Sequence, residues 1–105
     1  MDQKIYKQLK SIAELLKKRY RAERIMLYGS YARDEADEDS DVDMLVIAPT
    51  DESFFQRTAS AKRLTRELRD GLPLSFIVLT PQEIEERKNK GDQFINDILE
   101  TGIEL

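Results

Sequence analysis

One run constrains the fold more than any other: Asp41-Val42-Asp43-Met44-Leu45-Val46-Ile47. It is short, rich in β-branched residues and ended by Pro49, which predicts a strand rather than a helix. Side chains on a strand alternate between faces, so Asp41 and Asp43 project from the same face. A separation of roughly 6–7 Å between their Cα atoms lets both reach one hard cation. Without a cation the two carboxylates repel and one pKa is pushed upward.

The segments around this run alternate helical and extended character. From about Gln3 to Tyr20, Ile5, Leu9, Ile12, Leu15 and Leu16 fall on one helical stripe, with the lysines largely outside it. Ile25 to Tyr28 is a short apolar run that stops at Gly29, as a buried strand does. From about Glu52 to Arg69, Phe55, Ala59, Leu64 and Leu68 recur at helical spacing, and Gly71 follows as a stop. Leu74 to Leu79 predicts a third strand. Thr80-Pro81-Gln82-Glu83 is a capping box with proline at the first helical position, and Asp92 caps a last short helix that Gly102 closes. The expected fold is α/β, a small mixed sheet covered by helices, with residues 1–105 as a single domain. Phe54, Phe55 and Phe76 are expected in the core, and Tyr28 and Tyr31 are expected to pack beside the Gly29 turn.

Composition narrows the chemistry. The chain has no cysteine and no histidine, so a metal must be held by oxygen, which favours Mg²⁺, Mn²⁺ or Ca²⁺. No stretch approaches the ~18 consecutive apolar residues of a membrane helix, and the N-terminus lacks the apolar core of a signal peptide. A cytoplasmic protein is the expectation. The net charge of −4 argues against a general nucleic-acid binder, but the charge is uneven. Residues 1–24 carry eight Lys/Arg against three acids, whereas residues 34–52 carry nine acids and no base. The acidic block is where the chemistry is sought. Its alternating aspartates do not make an EF-hand loop: counted from Asp37, the sixth and twelfth positions hold Val42 and Ala48, where that loop needs Gly and Glu. The basic residues of the first helix, with Lys62, Arg63, Arg66 and Arg69, read as solvated helix faces.

A second feature is separated from Asp41 by ten residues. A strand running into Gly29-Ser30 and then a helical turn offers unpaired backbone N–H groups to an anion, and Ser30 adds a hydroxyl. Arg33 can reach a phosphate across that turn.

Gly29-Ser30, ten intervening residues and Asp41-x-Asp43 together resemble the signature of the DNA polymerase beta-like nucleotidyltransferases. The text GSYARDEADEDSDVDMLVI resembles in particular the minimal nucleotidyltransferases of prokaryotes, and the likeness extends over nearly the whole chain. It implies metal-dependent transfer of a nucleoside monophosphate, AMP from ATP by default, to a hydroxyl acceptor. Gly29, Ser30 and Arg33 would hold the triphosphate, and the catalytic pair Asp41 and Asp43 would bind two Mg²⁺ ions.

The sequence departs from that pattern once. The family's third carboxylate aligns with Ser75, and no Asp or Glu lies between Asp70 and Glu83 to replace it by a slip of register. A neutral hydroxyl is a weak Mg²⁺ ligand, so the second ion is expected to bind poorly. Either a nearby acid such as Asp37 or Asp39 substitutes, or the domain binds nucleotide and metal and transfers slowly or not at all. The resemblance also implies a second role, as the antitoxin of a pair with a helical HEPN-type toxin, some of which are modified by AMP on a tyrosine. The shortness of the chain suggests that such a partner, or a homo-oligomer, supplies the acceptor surface.

Overall fold

The apolar stripe of the first segment sets how the layers stack. In the computed structural model, which describes residues 1–105, helix α1 spans Gln3–Arg19 and buries Leu9, Ile12, Ala13 and Leu16. Asp2 caps it, its side chain accepting from the Lys4 N–H at 2.7 Å. The chain continues as β1 (Arg24–Tyr28), β2 (Val42–Ile47), α2 (Phe54–Arg69), β3 (Leu74–Leu79), α3 (Pro81–Asn89), α4 (Gln93–Thr101) and β4 (Ile103–Glu104). The strands form one mixed sheet in the order β3-β2-β1-β4. β1 runs antiparallel to both its neighbours, and β2 and β3 are parallel, joined through α2. A four-stranded mixed sheet with four helices is compatible with the polymerase beta-like nucleotidyltransferase fold.

Strand alternation divides the core in two. One face presents Ile25, Leu27, Val42, Met44, Val46, Leu74, Phe76 and Val78 to α1 and α2 in a cluster of 16 buried residues. The other presents Met26, Leu45, Ile47 and Leu79 to Ile84 of α3 and Ile95 and Ile98 of α4, in a cluster of only 7. Both capping boxes form, Ser53 with Gln56 and Thr80 with Glu83.

Three expectations need correction. β2 begins at Val42, so Asp41 stands just before the strand. Phe54 and Phe55 are not core: they are 55 % and 87 % exposed, whereas Phe76 is buried as expected. With them fails the single apolar stripe read for α2: Ala59 to Leu64 is a step of five residues, so the two halves lie on different sides of the helix, and Leu64 alone of the four is half-buried. The helix buries Ser60, Ala61 and Thr65, and leaves Phe55 and Ala59 in solvent and Leu68 partly so. The reason is volume, because α1 already fills that layer with Leu9, Ile12 and Leu16, and only small residues let α2 approach. Thr65 meets its own polar need by donating its hydroxyl to Ala61 O at 2.7 Å.

The two-residue β4 was not expected at all. Gly102 makes it possible, since a Cβ there would lie 2.6 Å from Ile98 O and 2.9 Å from Leu27 O. Leu105 then donates its N–H to Ile25 O at 2.9 Å.

Candidate nucleotide and metal site

α3 and α4 cover one end of their sheet face and leave the other open. At the open end the register aligns three side chains on adjacent strands: Tyr28 of β1 opposite Asp43 of β2, and Asp43 beside Ser75 of β3. Asp43 is half-buried and Asp41 is exposed. Burial pushes the Asp43 carboxyl above the usual aspartate range, the charge of Asp41 pushes it further, and Arg33 draws it partly back. Tyr28 is half-buried, and burial together with the Asp43 charge pushes its phenol up to about 12. It therefore remains a neutral donor at any ordinary pH.

Gly29 is fixed by this arrangement. It has φ +77°, and a Cβ would lie 2.5 Å from Asp43 Oδ2. Absence of a side chain is what lets the carboxylate and the turn share the space. Beyond it the chain makes a helical turn, with Arg33 donating its N–H to Gly29 O at 3.2 Å and Glu35 to Ser30 O at 2.9 Å. The N–H groups of Ser30, Tyr31 and Ala32 find no acceptor in the chain, as at the start of any helix. Such a set, beside a hydroxyl, can receive an anion. The Arg33 side chain is tethered at the surface, its Nε donating to Glu35 Oε2 at 3.1 Å. Tyr31 packs on the larger core cluster and Tyr28 on the smaller, as their expected packing roles require.

The proposed substitutes for a third acid are placed differently. Asp37 is occupied in turning the acidic loop, accepting from the Asp39 N–H at 2.9 Å and from Ser40 Oγ at 3.1 Å. Neither Asp37 nor Asp39 is among the charges that shift Asp43, and no group of three acids stands close enough to hold an ion. The residues present still fit one hard divalent ion. Two mutually repelling carboxylates, with a hydroxyl next in register and no lysine or arginine paired to either, match the one or two carboxylates by which Mg²⁺ is commonly held.

Sequence reasoning missed Phe94. It opens α4 and meets Tyr28 edge to face, with ring centroids 5.6 Å apart. The two rings, with Gly29, Arg33 and Asp97, border an open cleft of about 300 Å³ beside the carboxylates. Its only signal was a place among the apolar residues of a capped helix, which describes a core residue equally well.

A family model described as a nucleotidyltransferase domain matches residues 9–105, almost the whole chain. The chain belongs to this family. The family supports an enzyme acting on a nucleotide substrate. The comparison with curated proteins finds no match. No helix is long and apolar enough to cross a membrane.

Proposed function

We propose that the protein moves AMP from ATP to a hydroxyl acceptor with Mg²⁺ bound at Asp41 and Asp43. The observation that carries this reading is the meeting, at the uncovered end of one sheet face, of the Gly29-Ser30 turn with Asp43 and Asp41. The free N–H groups of the turn and the Ser30 hydroxyl hold the triphosphate tail, and Arg33 leaves Glu35 to add a cationic contact. Mg²⁺ at the two carboxylates supplies charge neutralisation around the reacting phosphorus. The acceptor hydroxyl gives up its proton to solvent as its oxygen bonds to the α-phosphorus, the bond to the bridging oxygen breaks, and pyrophosphate leaves. Tyr28 and Phe94 wall the cleft that receives the nucleoside, and both remain neutral. Catalysis here is mostly positioning and electrostatics.

A second reading is favoured by Ser75, a neutral residue in register with Asp43 where the family resemblance implies a third acid. In it the domain binds nucleotide and metal with little turnover, and acts by forming a complex with a HEPN-type partner or with itself. One experiment separates the two: transfer of label from α-labelled ATP, with Mg²⁺ and nucleotide binding measured in parallel, for wild type and Ser75→Asp. The proposal expects measurable transfer by the wild type and faster transfer by Ser75→Asp. A variant that binds metal and nucleotide yet transfers no more than an inert wild type refutes the role given to that position and leaves the binding module.

A further inference from the structure

The α1–α2 layer lies on the sheet face opposite the candidate site. Between the two helices its outer surface holds a groove of about 570 Å³. Leu15, Leu64 and Leu68 form its floor, Arg19, Arg63 and Arg66 stand around it, and Glu67 is the one acid among the lining residues. Neither Arg19 nor Arg66 has an ion-pair partner in the chain, nor does Arg63.

The surrounding charge is one-sided. α1 carries six Lys/Arg and α2 five, against one acid in each, while the remainder of the chain holds six bases and nineteen acids. A strongly positive face on a net-negative protein selects a negative partner. The leucines of the groove select further. A phosphate backbone would engage the arginines and leave this apolar surface in water. Arginines around an apolar centre, with no lysine among them, match the composition of protein–protein interfaces.

We propose that the α1–α2 groove docks an acidic amphipathic helix of a partner protein. Leucine-type residues at helical spacing enter the groove, and the flanking carboxylates meet Arg19, Arg63 and Arg66. A second copy of this chain is a poor occupant. Its acidic loop, residues 34–41, offers no apolar side chain larger than Ala36, and α4 spends Ile95 and Ile98 on its own core. The surface is independent of the transfer reaction, and an occupant leaves the open end of the opposite face free.

The test uses the intact protein and fluorescence anisotropy with three labelled probes. The first is a peptide of about 18 residues, five helical turns, with leucine at helical spacing and glutamate elsewhere. The others are a scrambled peptide of the same composition and an oligo-dT of similar length. The patterned peptide is expected to bind at least about tenfold more tightly than either control. Arg63→Glu/Arg66→Glu and, separately, Leu68→Ala should each weaken it by about tenfold or more. Lys7→Glu, on α1 outside the groove, should change it little. Thermal unfolding of each variant checks its fold, and Leu68→Ala trims a side chain that is already 37 % exposed. The proposal is overturned by equal binding of the scrambled peptide or oligo-dT, by no binding at all, or by affinity retained in Leu68→Ala and the double variant. It is also overturned if sedimentation shows a wild-type dimer that the double variant dissociates, because the occupant is then a second copy.

Discussion

The two faces of the sheet start from the same strands and end differently. On the α1–α2 face every strand position is covered, the cluster holds 16 buried residues, and the outer surface is basic. On the α3–α4 face the cluster holds 7, and the cover reaches Tyr28 through Phe94 but stops short of Asp43 and Ser75. One face spends its strand side chains on stability. The other leaves half-buried polar groups whose environment is unfavourable without a ligand. Such strained, incompletely covered places are where binding chemistry is expected.

The largest expected effect breaks the comparison at Asp43. Asp43→Asn should cut transfer on the order of a thousandfold or more, read with labelled ATP. The same change should slightly raise the melting temperature of metal-free protein at neutral pH. The sign follows from the raised pKa: the contribution of Asp43 to stability is present below the ordinary aspartate value and is lost as pH rises through the raised one. At neutral pH the charged form is therefore a burden that asparagine relieves, by less than about 1 kcal/mol for so accessible a group. A variant less stable than wild type without metal would contradict this account of the site.

Next comes the covered face. Leu16→Ala, fully buried beneath the sheet, should cost about 2–5 kcal/mol in denaturant unfolding, with residual transfer per folded molecule unchanged. Equal loss of transfer in the folded fraction would show that the faces are coupled.

Gly29→Ala should destabilise by about 1–3 kcal/mol, because it forces a Cβ into a left-handed conformation and against Asp43 Oδ2. In an Asp43→Ala background the contact is gone, so the cost should fall toward the ~1 kcal/mol of the backbone conformation alone. Additive costs would place the strain elsewhere.

The smallest effect lies at the far end of the sheet. Burial raises the Glu83 pKa, but the Arg57 guanidinium at 2.7 Å and the Thr80 N–H outweigh it and hold the carboxyl below the usual range. Its stabilisation is present above the ordinary glutamate value and lost as pH falls through the depressed one. Glu83→Gln should cost under about 1 kcal/mol at neutral pH and flatten the acid limb of a stability profile below pH ~4. An unchanged acid limb would mean that the pair contributes nothing.

The sequence alone determined most of the elements and nominated the candidate site residues. Period-3.6 and period-2 patterns placed α1, β1, β3 and both capped helices. The spacing from Gly29-Ser30 to Asp41 and Asp43 pointed to the site, because local chain geometry dictates which residues share a face or a turn. The parallel register sets Ser75 beside Asp43. Tertiary structure decided what local pattern cannot encode. It turned α2 so that Ala61 and Thr65 are buried and Phe55 is not, because the volume beneath was already taken by α1. It recruited Phe94 to Tyr28, added β4 through the close approach at Gly102, and left one end of one face uncovered. Each of these depends on which distant surfaces compete for the same space, and that competition exists only once the chain has folded.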